Sequence, residues 1–431
     1  MQLFLEFGYK LLEAGVQLVF SPFYWLAVVL IAIHYHRQMV TERRLFAVKM
    51  NSWIQQTGRA ALGGLLAGII VSVAAVSLGV VIPPSVVIIL WIISLLLLLV
   101  RVRWLCLAYS GGIVAILHSI LLLVPNWQVE GWIGAWIQDL RELNAAGLLV
   151  LVAIIHAAEA LLIRKQGAKF ASPLFMESKR GRVVGAYQMQ SLWPVPLILL
   201  LPMAAASEML PWTPLLSGDV WQHGWVLAGL PVMLGFSELT YTYTPQEKAD
   251  VTSNRLFIYA AALLAVSLLS HWWGPLVPLA GLISMCGHEW LVWYSRQEEL
   301  RRSPIFTHSS RGLCVQAVLP GSPAEALGIH AGEIISKVNG IAIRTKEELH
   351  QAMRSNPAFC KLEIYNAEGA VKFAQSAIYA GEHHQLGVLL APDDDVSYVA
   401  IVKQPSLFAL LKASWRRSSH TQLDHETETS V

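Results

Sequence analysis

The sequence predicts a polytopic α-helical membrane domain of seven to nine spans, followed by a smaller α+β domain. Hydrophobic residues make up 55% of the 431 residues and charged residues only 14%, whereas about a quarter of the residues of an ordinary soluble domain are charged. The charge deficit is concentrated before residue 295, and alternating strand-like patterns appear after residue 304. We therefore divide the chain into a membrane domain at 1–295, a second domain at 304–395 and a tail at 396–431.

Nine apolar stretches in the first domain are candidate spans, because a span needs about 20 mainly apolar residues. They lie at 17–34, 60–82, 85–100, 104–124, 145–163, 191–206, 223–238, 256–273 and 275–294. Ser21-Pro22 interrupts the first stretch, so an interfacial helix at 3–20 is an alternative there. The stretches at 191–206 and 223–238 are short, which leaves a count of seven to nine.

The loops between these stretches alternate in Lys and Arg content. The loops at 35–59, 164–190 and 296–302 are rich in basic residues, which are all Arg in the last of them, whereas the regions at 125–144 and 207–222 together contain only Arg141. Basic loops remain in the cytoplasm. The alternation therefore predicts a multi-pass protein of the plasma membrane whose second domain is cytoplasmic, with the lipid bilayer as its permanent partner.

Charge and cysteine content exclude several classes of function. A net charge of +2 gives no electrostatic support for a nucleic-acid partner. Cys106, Cys286, Cys314 and Cys360 are not spaced as a metal clip or as a disulfide framework. The sequence therefore predicts no metal site and no cofactor.

Ionisable residues inside predicted spans are candidates for function. His156 and Glu159 lie one helical turn apart and could form a proton relay or a ligand pair, although both lie near the end of their span, where polar side chains reach water. His288 and Glu289 resemble the opening of an H-E-x-x-H zinc site, but position 292 is Val instead of the second His. We predict no catalytic residue. An intramembrane protease or processing factor that uses these four residues is the alternative, and a transporter ranks third.

The second domain contains several specific turn and capping signals. Gly312–Leu319 alternates as a half-buried strand, and Ser322 is placed to cap a short helix. Asn339-Gly340 favours a type I′ hairpin turn. Thr345, with a glutamate three residues later, fits a capping box at the start of a helix at Lys346–Arg354.

The order of these elements, together with Leu319–Gly328 (L-P-G-S-P-A-E-A-L-G), resembles a PDZ domain. This resemblance implies an extended peptide ligand that is bound by strand addition beside a helix. We assign Leu349 and Met353 of the predicted helix to the groove. The groove strand is assigned to Leu386, Gly387, Val388, Leu389 and Leu390, as in a permuted domain, because Ser303–Arg311 is too short to provide it. A closing core strand at 386–390 is the alternative.

The tail contains a short basic amphipathic segment at 403–417. Its members are Leu407, Phe408, Leu411, Lys412, Trp415, Arg416 and Arg417. Such a helix is suited to lie on the anionic inner leaflet of the membrane, and packing against the PDZ-like domain is an equal alternative.

The whole chain resembles the MinJ family of membrane-bound topological determinants of cell division in Gram-positive rod-shaped bacteria. The resemblance rests on Ser21–Trp25, Glu42–Phe46, His288-Glu289, Pro304–Phe306 and the terminal PDZ-like domain. It implies a scaffold at cell poles and division septa that has no enzymatic activity. It also implies DivIVA-like and MinD-like partners, through which the MinC–MinD inhibitor of FtsZ assembly would be positioned.

Overall fold

The computed structural model describes residues 2–46, 50, 52–127, 129–178, 181–202, 212–217, 225–356, 359–366, 368–377 and 386–392. The amphipathic segment predicted at 403–417 lies outside the described residues.

The first domain is mainly helical. Its helices are α1 (Gln2–Val19), α2 (Pro22–Phe46), α3 (Trp53–Leu78), α4 (Pro84–Val100), α5 (Leu107–Leu123), α6 (Trp132–Glu142), α7 (Ala145–Leu162), α8 (Pro245–Trp272), α9 (Val277–Leu282) and α10 (His288–Arg301). A π-helical turn at Ile163–Gly167 follows α7, and another at Ile283–Gly287 joins α9 to α10. Helix α7 is the most enclosed, since almost all of its residues are buried by the surrounding elements.

Four helical segments in the described part of the chain are long and apolar enough to cross a membrane. They are Trp53–Leu78, Ala145–Gly167, Pro245–Trp272 and Gly274–Arg301. Helices α1 and α2 meet at a 48° bend and make a fifth span if the pair is counted as one. Helices α4 and α5 are apolar but have only 17 residues each. The helices indicate a membrane protein, but the predicted count of seven to nine spans is not confirmed.

The prediction of spans at 191–206 and 223–238 is wrong, because the described residues of both segments are β-strands. Strands β1 (Ser172–Glu177), β2 (Val183–Pro202) and β3 (Trp225–Thr240) form an antiparallel sheet in the order β1-β2-β3. Pro194 and Pro196 lie in β2, and prolines in a helix interior remove hydrogen bonds and clash with the preceding turn. Strand β1 pairs with β2 only as far as Gln188, so at the two prolines one edge of β2 is not paired by a strand, and such an edge tolerates proline.

Helix α3 covers the edge of β2 that β3 leaves open. A side chain at Gly64 or Gly68 would collide with the main-chain carbonyls of Pro194 and Pro196, respectively. One turn further on, the Ser72 hydroxyl accepts the main-chain N–H of Ile198 at 2.8 Å. Four helical residues rise about 6.0 Å and two strand residues about 6.6 Å, so the two elements stay in step along this contact.

The second domain is a small α+β domain with one six-stranded sheet. Its elements are β4 (Leu313–Val318), α11 (Pro323–Ala326), β5 (Ile334–Val338), β6 (Ile341–Ala342), α12 (Lys346–Arg354), β7 (Phe359–Tyr365), β8 (Val371–Ala377) and β9 (Val388–Leu390). The strand order is β8-β7-β5-β4-β9, and β6 pairs with β5.

The strand predicted at Gly312–Leu319 is observed as β4, but it is buried along nearly all of its length instead of half-buried. The predicted caps and turn are confirmed. Ser322 caps α11 by accepting the main-chain N–H of Glu325. Asn339 and Gly340 have φ values of 52° and 84°, the positive pair that a type I′ turn requires. Thr345 and Glu348 form the predicted capping box of α12.

A buried ion pair joins α8 to α10, the helix that leads to the second domain. Lys248, at the start of α8, is 1% exposed, and its Nζ lies 2.9 Å from a carboxylate oxygen of Glu299 on α10. Lys248 Nζ also donates to the Ser295 hydroxyl at 2.9 Å. Glu299 in turn accepts from the Thr242 hydroxyl at 2.8 Å. Because the charges satisfy each other, α10 is held against α8 and the β3–α8 loop.

Candidate functional site

Strand β9 lies at the end of the C-terminal sheet. It pairs with β4 through Val315↔Leu390, Ala317↔Leu389 and Val318↔Val388. No other strand of the described residues pairs with its outer edge. A PDZ domain binds its peptide by adding a strand to such an edge, so the strand assigned to the groove from the sequence has the required position.

The side chains of β9 divide between the two faces of the sheet, as strand alternation requires. Leu386 and Leu390 are buried in one cluster with Leu349 and Met353 of α12, and Val388 packs against this cluster. Leu389 packs on the opposite face, against the core that includes the first domain. The α12 side of β9 is therefore lined by Leu386, Val388 and Leu390, and Leu389 does not share that face.

Gly387 makes the turn that precedes β9. Its φ of +82° favours glycine, and a Cβ there would collide with Ser322. The Gly387 carbonyl accepts the Leu319 N–H at 2.8 Å, and the Leu386 carbonyl accepts the Ala324 N–H at 2.9 Å. These bonds fix the turn against the start of α11.

Gln316 of β4 docks the second domain onto the β1–β2 ladder. Its fully buried side-chain amide donates to the carbonyls of Leu174 at 3.1 Å and Ala186 at 3.0 Å, which are cross-strand partners in that ladder. The Tyr187 hydroxyl donates to the main-chain carbonyl of Gln316. A side chain at Gly185 would overlap the Gln316 amide, so glycine leaves room for this close approach.

Three metal-ligand side chains meet in the helical domain. Cys106 Sγ lies 3.2 Å from His156 Nε2 and 3.9 Å from His288 Nε2, and the three atoms lie within 4.8 Å of one another. His156 is fully buried in α7, and the other two residues are half-buried. We call these residues the Cys-His-His cluster.

Hydrogen bonds orient both imidazoles of this cluster. His156 Nδ1 lies 2.7 Å from the Val152 carbonyl, which can only accept, so Nδ1 carries the hydrogen. Tyr109 donates its hydroxyl to Glu289 at 2.8 Å and therefore accepts from His288 Nδ1 at 3.2 Å. When each imidazole is neutral, its Nε2 thus carries a lone pair directed toward Cys106.

Close helix packing brings the cluster together. Gly112 of α5 and Gly281 of α9 face each other so closely that a Cβ on either would lie within 3 Å of the other's carbonyl oxygen. The Ser284 hydroxyl, in the π-helical turn, donates to the Ala108 carbonyl at 2.7 Å. Small residues allow such contacts between apolar helices. As a result, Cys106 at the start of α5 lies beside His288 at the start of α10.

The four residues of the protease alternative are only partly brought together. His156 and His288 have ring centroids 5.4 Å apart. Glu289 is engaged by Arg103 and by the Tyr109 hydroxyl, and Glu159 is buried one turn along α7 from His156. Cys106 lies 50 residues from His156 and 182 residues from His288 along the chain, so no local sequence motif marks it as their partner.

The fold defines a protein of several apolar helices that carries a PDZ domain. The PDZ domain family model matches residues 315–364. The chain is 27% identical over 392 residues to the cell division topological determinant MinJ of Bacillus subtilis, covering 90% of this chain and 97% of that protein. It is 29% identical over 305 residues to probable MinJ proteins of Lacticaseibacillus paracasei and Lacticaseibacillus casei, covering 67% of this chain and 78% of each.

These similarities confirm the predicted resemblance to the MinJ cell-division topological determinants, and they extend along most of the chain. No solved structure is significantly similar to it.

Proposed function

We propose that this protein is a non-enzymatic membrane scaffold that helps to place the division septum. The observation that carries the proposal is the similarity to MinJ of Bacillus subtilis, which runs through both the helical domain and the PDZ domain. The basic loops favour a cytoplasmic PDZ domain. In this position the domain would hold DivIVA-like and MinD-like division proteins at the septum and the poles.

The docking contact at Gln316 supports a scaffold that presents its groove in a fixed orientation. The buried Gln316 amide is bonded to both Leu174 and Ala186, so the PDZ domain is attached to the β1–β2 ladder by more than the chain connection. Strand β9 lies at the end of its sheet with one edge unpaired by the described strands. A peptide from a cytosolic partner would add to that edge, beside α12.

The cellular experiment replaces the chromosomal gene with a fluorescent fusion in the native cell and compares it with a deletion strain. We expect fluorescence at septa and poles, and misplaced septa in the deletion strain. The proposal would be refuted by fluorescence that is spread uniformly over the membrane together with normal septum positions in the deletion strain.

A groove experiment uses full-length protein in lipid nanodiscs and a library of C-terminal peptides. We expect Val388→Glu to weaken the best peptide at least tenfold, since it puts a charge into the apolar face of β9. Val371→Glu is the matched control, because Val371 is 47% exposed on β8 at the far end of the sheet. If both variants bind the peptide equally well, β9 does not form the peptide-binding groove.

The protease alternative is favoured by one observation, the proximity of His156 and His288. Against it, Glu289 is held by Arg103 and Tyr109, and a general base must be free to reach its water. Glu289→Gln separates the two functions. A scaffold keeps normal septum positions with this substitution, whereas a protease that uses Glu289 as its base loses its function while the protein is still folded.

A further inference from the structure

We propose that the Cys-His-His cluster binds a transition-metal ion of the zinc class, with Cys106 Sγ, His156 Nε2 and His288 Nε2 as its ligands. Thiolate and imidazole are the ligands that Zn²⁺ prefers in proteins. The site is distinct from the PDZ groove and independent of the function proposed above.

The distances fit a tetrahedral site. With Zn–S of about 2.3 Å and Zn–N of about 2.0–2.1 Å, sulfur and nitrogen ligands of one ion lie about 3.5 Å apart. The two S···N distances in the cluster, 3.2 and 3.9 Å, bracket this value. The two Nε2 atoms lie within 4.8 Å of each other, and nitrogen ligands of one tetrahedral ion lie about 3.3 Å apart. Rotations of the side chains that close this gap would place all three atoms around one ion.

The hydrogen bonds around the cluster leave the two Nε2 atoms and Cys106 Sγ available to bind a cation. In the neutral imidazoles both Nε2 atoms carry lone pairs, because each Nδ1 donates to a fixed acceptor, the Val152 carbonyl or the Tyr109 hydroxyl. The single Cys106 thiol hydrogen can satisfy only one of the two lone pairs. A metal ion satisfies both nitrogens and the thiolate, and metal-bound histidines commonly donate their outer N–H in this way.

Backbone features at two of the proposed ligands also favour a metal site. Cys106 is the N-cap residue of α5, where the helix dipole favours a negative charge such as a thiolate. His288 directly follows the π-helical turn at Ile283–Gly287, and π-turns occur frequently at functional sites. The turn is fixed by the Tyr259 hydroxyl, which donates to the Ser284 carbonyl at 2.8 Å.

The proposed ion would tie three helices together. Cys106 is the N-cap residue of α5, His156 lies within α7, and His288 begins α10, the helix that leads to the PDZ domain. Three protein ligands leave a fourth position for water or another small ligand. Occupancy would therefore fix the start of α10 against the centre of the helical domain.

The test uses full-length protein in detergent, purified without a polyhistidine tag. After removal of bound metal and titration with Co²⁺, we expect about one ion per chain, the visible bands of a four-coordinate ion and a thiolate-to-cobalt charge-transfer band. Cys106→Ser should abolish the charge-transfer band, and His156→Gln or His288→Gln should reduce Co²⁺ affinity at least tenfold. Zn²⁺ should displace Co²⁺ and raise the melting temperature of the unsubstituted protein.

Matched controls are Cys286→Ser and His271→Gln. Cys286 is exposed in the same π-helical turn, and His271 lies near the end of α8; neither belongs to the cluster. Both control variants should bind Co²⁺ as the unsubstituted protein does. Size-exclusion chromatography shows which variants are folded. If the histidine variants do not fold, Cys106→Ser, which changes one atom, still tests whether the cluster binds the ion. A charge-transfer band that persists in Cys106→Ser, or unsubstituted protein that binds no ion, would overturn the proposal.

Discussion

The Ser72 hydroxyl of α3 accepts the main-chain N–H of Ile198 of β2 at 2.8 Å. This bond satisfies a donor on the edge of β2 that β3 does not pair. Along the same edge, Pro194 and Pro196 have no N–H to satisfy, and the Tyr35 hydroxyl accepts from the Leu192 N–H at 3.3 Å. A sheet edge among apolar helices is costly unless its polar groups are satisfied within the protein, and from Leu192 to Ile198 β2 meets this requirement for its N–H groups with side chains and prolines.

The packing of α3 on β2 predicts which glycines tolerate a methyl group. Gly64→Ala and Gly68→Ala should each destabilise the protein by about 1–3 kcal/mol, because the added Cβ overlaps a main-chain carbonyl that cannot rotate away. Gly58→Ala, in the same helix with nothing within 4 Å of its Cβ, should be neutral or gain about 0.5–1 kcal/mol. Melting temperatures of the detergent-solubilised chains measure the difference. Equal melting temperatures for all three variants would contradict the close packing.

The Gln316 contact predicts that Gln316→Ala weakens the attachment of the PDZ domain to the β1–β2 ladder. This substitution leaves the Leu174 and Ala186 carbonyls without their donor, at a cost of about 1–3 kcal/mol. Hydrogen exchange of the full chain should speed up in β1, β2 and β4. The control, Gln351→Ala, removes an exposed amide of α12 and should leave these rates unchanged. Protection that is unaltered in Gln316→Ala would show that the amide does not hold the docked arrangement.

The buried Lys248–Glu299 pair between α8 and α10 predicts that a single substitution costs more stability than a double substitution. Lys248→Met leaves the Glu299 carboxylate buried without its cation, which should cost about 3–5 kcal/mol. Adding Glu299→Gln removes the unpaired charge and should restore part of that loss. Lys337→Met breaks a pair with Glu363 in which the lysine side chain is 45% exposed, so its cost should stay below about 1 kcal/mol. Chemical unfolding measures each step, and a double variant no more stable than Lys248→Met would refute the pairing.

The buried thiols of the PDZ domain predict a loss of stability at alkaline pH. Burial raises the pKa of both Cys314 and Cys360 to about 11, from an ordinary value of 9.0. The folded state therefore binds these two protons more tightly than the unfolded state. Their contribution is complete below pH 9 and is lost as the pH rises from about 9 to about 11.

Unfolding curves between pH 7 and pH 11 test this. The Cys314→Ala/Cys360→Ala variant should lose less stability over the alkaline range than the unsubstituted chain does, because the two alanines do not titrate. Parallel curves for the two proteins would mean that the thiols are not buried in the folded state.

Local sequence signals determined much of the PDZ domain. Ser322, Asn339-Gly340 and Thr345 act within a few residues of chain, so their caps and turn follow from propensity and hydrogen bonding alone. The local pattern did not separate Leu386 and Gly387 from the strand predicted at 386–390, because β9 begins only at Val388 and the positive φ of Gly387 makes a turn before it. The groove assignment itself remains a prediction.

Tertiary structure decided the features that composition could not resolve. Hydropathy alone cannot distinguish an apolar strand from an apolar helix in β2, and the Pro194 and Pro196 spacing was the one local signal against a helix. The strand is stable there because α3 supplies Gly64, Gly68 and Ser72 at matching intervals.

Likewise, the sequence marked His156 and His288 separately but not Cys106 as their partner. Their approach depends on the close packing of α5 against α9 at Gly112 and Gly281. Helix caps and turns are determined by residues that are neighbours along the chain. An enclosed strand edge or a converging set of metal ligands exists only when distant segments pack together.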